Sequence, residues 1–392
     1  MMTRAATGES LLQSLQAHPD LMLTVPALRQ QSRLLLAKGT DDQQRETARL
    51  IHGVALRMAG TVPHVEDWAP GLERALAHKN AVVRATAYVA GAALARAGNN
   101  PYEGALMGNL VAHAIGQERE SDRQTKAVAI LADLAPLAKT AEAVLHHLAI
   151  GAAAPSTRAA ALGAIHAAVK GDRHHEPAAA ALIAATSLGT ERDPTVLKAA
   201  LGLAWATGMR APGMARVIAH PDPEVAVTAM RVAAEGARQT PWPPEVARAV
   251  RSELLALRPA RQRAAAASLA ALDPNSHAEL AASPRAPILA GYLDAVSRGH
   301  VPAGAPEIPP VLKHIQQAMT PELAGALLRA APVIGLPLHE GTRARLASLA
   351  GQGGPAPTLA RVPASGVPAI APTTTPAQPP TRPRGGGPDR GR

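Results

Sequence analysis

Apolar and polar positions alternate in blocks that read as short one-sided helices separated by sharp breaks. The stretch HPDPEVAVTAMRVAAEG, residues 220–236, shows the unit. Pro221 cannot continue a helix, Asp222 can accept hydrogen bonds from the orphan N–H groups of a new one, and Pro223 suits its first position. Beyond it Val225, Val227, Met230, Val232 and Ala233 gather on one face, with Arg231 and Glu235 off it. The pattern predicts a helix that packs on one side only.

Degraded copies recur. RDPTVLKAALGLAWATG places Asp193 and Pro194 ahead of Val196, and HKNAVVRATAYVAGAALARAG has Asn80 as the cap ahead of Val83. Further restarts are expected at Pro155, Pro259, Pro284 and Pro321. The irregular period is about 35 residues, in the range of helical repeat arrays. Each interval leaves room for one more helix, as in PGLERALAH, EPAAAALIAATSLG and PPEVARAVRSELLAL, so the unit is a helix pair. No run of alternating β-branched residues suggests a strand.

On these residues, NAVVRATA with its Val83–Arg84 step above all, the chain resembles the HEAT-repeat class of α-solenoids. Arg158 keeps the basic position, whereas Leu197 and Ala226 do not. The resemblance implies an all-α, right-handed α-solenoid of irregular helix pairs over residues 1–350, with a plain helical bundle as the competing arrangement. It also implies a long surface lined by second helices. Basic residues in their first turns, Arg84, Arg123, Lys126, Arg158, Lys198, Arg261 and Arg263, are the candidate partner-binding row. The alternative is that they lie at repeat junctions and pair with acids there.

Composition fits such an array. The 392 residues are 47% hydrophobic but only 2% aromatic, with no Phe, so helices must pack closely through Ala, Leu, Val and Ile. Of the net charge of +10, about +4 falls in residues 351–392, where Arg361, Arg382, Arg384, Arg390 and Arg392 face Asp389 alone. That Pro-, Gly- and Thr-rich segment is expected to be a disordered basic tail.

Chemistry is sparse. Zero cysteines exclude disulfides and thiolate catalysis. The motifs of serine nucleophiles and nucleotide loops are absent. His146, His147, His166, His174 and His175, with Asp172 and Glu176, lack metal-ligand spacing, since adjacent histidines on a helix point about 100° apart. Glu118 and Glu120 in GQERESDRQTK read as an exposed turn, and Trp242 in QTPWPPE as the seal of a repeat junction. No signal peptide or membrane span is evident. The expectation is a cytoplasmic, non-enzymatic scaffold or adaptor that binds a protein partner and needs no cofactor and no metal. The alternative is a HEAT-like nucleic-acid-binding protein that contacts phosphates through a basic face.

Overall fold

The computed structural model describes residues 2–171, 176–210, 213–238, 241–256 and 258–352. Among them the regular structure is helical, and the only β pairing is an isolated bridge between Val62 and Gly98. The predicted tail lies outside the described residues apart from Gly351 and Gln352, which close the last helix.

The helices form pairs. First members are α2 (Pro26–Lys38), α4 (Ala69–Leu76), α6 (Pro101–Gly116), α8 (Lys139–Gly151), α10 (Pro177–Thr190), α12 (Met214–Ile218), α14 (Pro244–Glu253), α16 (His277–Ala281) and α18 (Ile308–Gln317). Second members are α3 (Asp41–Arg57), α5 (Ala81–Ala97), α7 (Ser121–Leu134), α9 (Pro155–Lys170), α11 (Pro194–Thr207), α13 (Pro223–Ala237), α15 (Pro259–Leu272), α17 (Ala286–Ser297) and α19 (Pro321–Ala330). Helix α1 (Met2–Ala17) packs on α2 and α3 at one end, and α20 (Glu340–Gln352) packs on α19 at the other. Each second helix packs on the next, from α3 through α19.

The restarts are made as the sequence predicts. The Asp222 carboxylate accepts from Glu224 N–H at 2.8 Å and Val225 N–H at 3.2 Å, and Asp193 caps α11 in the same way. Asn80 accepts from Val82 N–H at 2.9 Å. Pro155, Pro194, Pro223, Pro259 and Pro321 each open a second helix. Pro284 does not. Arg285 is the cap there and α17 begins at Ala286, because Pro287 supplies the proline of the first turn and Pro284 falls in the extended entry. Asp222→Ala should lower stability by about 1 kcal/mol, and Asp222→Asn should retain most of it; urea midpoints of the two variants check this.

The core is largely Ala, Leu, Val and Ile, yet its two largest fully buried side chains are aromatic, Trp68 and Tyr292. Trp68 sits just ahead of α4, and its indole N–H donates to Ser32 Oγ at 3.0 Å. Small residues set the helix spacing. A Cβ on Gly91 would meet Val111 at 2.4 Å, and one on Gly291 would meet the Arg263 carbonyl oxygen at 2.2 Å.

Candidate interaction surface

The second helices carry a series of polar staples, one set per junction. A residue four positions past the cap sits one turn into its helix, beside the connection that opens the next repeat. Arg84 is in that place on α5. Its Nε and Nη2 donate to the two oxygens of Glu118, 34 residues on, at 3.0 and 2.9 Å. Its Nη1 donates to the carbonyls of His78 and Lys79, in the connection that follows α4. Tyr88, one turn further along α5, donates to Glu118 Oε2 at 3.0 Å. The N–H groups of Arg119 and Glu120 complete the set.

Burial alone would raise the Glu118 carboxyl. The Arg84 hydrogen bonds, the Glu120 N–H and the Tyr88 hydroxyl outweigh it and hold the group at about 2. Burial, and then the bond to Glu118, push the Tyr88 hydroxyl up to about 12. GQERESDRQTK is therefore a turn, as predicted, but not an exposed one at Glu118, whose side chain is 1% exposed. The acid is drawn inward because five donors from two repeats converge on it.

The arrangement repeats on α9. Arg158 donates through Nε to Glu191, 33 residues on, at 2.7 Å, and through Nη1 to the Ala152 and Ala153 carbonyls. Glu191 accepts in turn from the N–H groups of Arg192 and Asp193. Glutamine replaces arginine at the same register elsewhere. Gln124 donates to the Glu118 carbonyl at 3.1 Å, and Gln262 donates to the Leu254 carbonyl at 3.2 Å. Between α7 and α9 the staple is a hydrogen bond of 2.7 Å between the hydroxyls of Thr125 and Thr157.

The predicted basic row is thus mostly engaged within the chain. Arg84 and Arg158 hold junctions as described. Arg261 lies 2.6 Å from Glu253 and Arg263 2.8 Å from Asp294, each largely buried. Arg123 pairs with Glu120 one turn back, and Lys198 pairs with Glu224 on the next second helix. Lys126 is exposed and has no ion pair among the described residues. The junction alternative therefore describes six of the seven residues, and a continuous free stripe is not formed.

Two clefts open beside these staples. One of about 650 Å³ is lined by His78, Lys79, Tyr88, His113 and Arg119, next to the Arg84–Glu118 pair. The other, of about 340 Å³, runs between α3 and α5 over Ala48, His52, Val82, Ala85 and Val89. Val82 and Val89 are respectively 48% and 36% exposed there. Nothing in the sequence distinguished these valines from core positions, because the helix is apolar on most of its circumference.

Among the described residues, His146, His147 and His166 belong to no common metal-ligand group. His146 lies 3.8 Å from Glu142 on its own helix, and His166 packs against Gly202, while Asp172, His174 and His175 lie outside the described residues. Ligand-type atoms do come within 4.8 Å of one another at His64, Glu66 and Glu103, a group that bridges the entry to α4 and the first turn of α6. Trp242 seals a junction. Its ring covers Gly236 of α13, and the Arg210 guanidinium lies over it at 5.4 Å while donating to the Gly236 and Pro241 carbonyls.

The chain matches no protein-family model and no curated protein. It does match solved structures. Importin beta, in an ammonium sulfate condition, superposes with a TM-score of 0.54 at 12% identity over 78% of this chain and 45% of that one. The karyopherin Kap121p, bound to the extreme C-terminus of the protein phosphatase Cdc14p, superposes with a TM-score of 0.50 at 12% identity over 83% of this chain and 44% of that one. Kap121p bound to the SUMO protease Ulp1p gives the same TM-score and identity over 83% of this chain and 43% of that one. This chain therefore spans less than half the length of each. Paired helices, second-helix stacking and these likenesses together make the fold a HEAT-like α-solenoid.

Proposed function

We propose that this protein is a cytoplasmic, non-catalytic scaffold that binds other proteins along the face of its second helices. The observation that carries the reading is the groove between α3 and α5, where Val82 and Val89 stand exposed on a helix whose other valine, Val83, is buried. An apolar strip left open on a second helix marks a surface that gains by being covered. The Kap121p structures support the reading by analogy, since that solenoid is bound to segments of other proteins. The phosphate-binding alternative drew on a row of seven cations, and six of them face carboxylates of the chain itself.

The test is capture from lysate on the full chain, with and without nuclease, at low and moderate salt, followed by cross-link mapping. Protein partners that survive both treatments, cross-link to α3 or α5 and are lost with Val82→Glu/Val89→Glu are the expected result. Recovery of nucleic acid alone, released by salt, would overturn it.

A further inference from the structure

The connection that leads into α4 is held from two sides. Val62 N–H donates to the Ala97 carbonyl at 2.7 Å, Asn99 N–H donates back to the Val62 carbonyl at 3.0 Å, and Gly60 N–H reaches the Arg96 carbonyl at 2.9 Å. These bonds fasten residues 60–62 along the end of α5, beside the start of α6. His64 then takes the left-handed conformation, φ 56° and ψ 42°, and opens a single 3-10 turn, Val65–Trp68. From the other side Glu103, in the first turn of α6, accepts the Val65 N–H at 3.1 Å.

One imidazole and two carboxylates are thereby brought to a common point. One ligand-type atom from each of His64, Glu66 and Glu103 lies within 4.8 Å of the other two, and His64 Nδ1 stands 3.6 Å from Glu66 Oε1. Glu118, Glu191 and Asp294 each face an arginine, but no Lys or Arg comes within ion-pair distance of Glu66 or Glu103 among the described residues. Glu66 Oε2 carries the imbalance furthest. It is closed off from solvent and has no hydrogen-bond partner among the described residues. A carboxylate oxygen that has lost water and gained no donor is costly, and a cation in the donor's place removes the cost. The His64 side chain is 65% exposed, so an ion can enter from solvent and keep water on its outer side.

Imidazole nitrogen together with carboxylate oxygens is a donor set of zinc and its first-row neighbours, whereas magnesium and calcium take oxygen alone. We propose that His64, Glu66 and Glu103 bind a divalent transition-metal ion, zinc foremost, between the entry to α4 and the first turn of α6, with a fourth position open to water. The ion does at this junction what Arg84 does for Glu118 at the next, joining a carboxylate to a neighbouring repeat through an opposite charge. The site lies apart from the α3–α5 groove, so it does not depend on the scaffold reading.

The metal itself is the probe. The full chain, stripped with chelator, is titrated by calorimetry with zinc and separately with magnesium and calcium, and X-ray absorption at the zinc edge reads the ligands. One zinc per chain should bind through nitrogen and oxygen with an imidazole among the ligands, more tightly than magnesium or calcium, and the melting midpoint should rise with zinc concentration. Glu103→Gln keeps an oxygen for the Val65 N–H, and His64→Asn tolerates the left-handed backbone, so each removes a ligand with little risk to folding. Each should weaken zinc by at least about tenfold, whereas His113→Asn, at a surface histidine outside the group, should leave the affinity unchanged. Circular dichroism melts in chelator establish that the variants fold. Absent zinc binding, zinc binding that both ligand variants leave intact, which marks an adventitious ion at other histidines, or magnesium and calcium bound as tightly as zinc would each overturn the proposal.

Discussion

Glu118→Ala is expected to cost about 3–5 kcal/mol, because it leaves the largely buried Arg84 guanidinium and the Tyr88 hydroxyl facing an empty site. In an array whose repeats touch only their neighbours, the loss should appear as a broken junction rather than a uniform weakening. Urea unfolding should change from one transition toward two, with α1 to α5 separating from the rest. Arg84→Ala should cost a similar amount. The pair Arg84→Met/Glu118→Leu should recover much of it, since replacing both partners removes the unpaired charge. A Glu118→Ala variant within 1 kcal/mol of the parent would sink the account. The same carboxylate sets an acid limit. Its folded pKa, about 2, lies below the ordinary value of 4.5, so its contribution is fully present above about 4.5 and is lost as the pH falls toward 2. The shift corresponds to roughly 3 kcal/mol. Glu118→Gln should therefore flatten the stability profile between those two pH values.

The contrast between caps and staples shows what the sequence made legible. A cap is local: Asp222 and the N–H groups it serves lie within three residues, and the proline beside it restricts the chain on its own. The helix pairs and their order could be read for that reason. A staple joins residues about one repeat apart, and its acid stands in a connection, two positions before a cap. Glu118 looked like one charge in a mixed run, and only the packing of α5 on α7 brings Arg84 and Tyr88 to it. Arg84 and Arg158 were visible as basic residues at a repeated position, but whether they faced solvent or a neighbour depended on those distant acids.

Gly291→Ala should damage the other end of the array more than Gly91→Ala damages its first half, although each glycine lies on a second helix at a tight crossing. At Gly91 the added methyl would meet the tips of Val111 and Leu72, which can rotate aside. At Gly291 it would lie 2.2 Å from the carbonyl oxygen of Arg263 and 2.8 Å from Ala266 Cβ, both fixed to the α15 backbone. Only a shift of α17 away from α15 relieves that overlap, and the shift pulls Asp294 off Arg263, which stands 2.8 Å away, and disturbs the Arg329 contact behind it. Overpacking plus a weakened buried pair should cost about 3 kcal/mol for Gly291→Ala, against about 1 kcal/mol for Gly91→Ala. Hydrogen exchange should localise the loss of protection to residues 259–330 and leave α3 to α9 unchanged. Equal costs at the two glycines would mean that α15 and α17 can separate without penalty, and the rigid crossing would not then hold.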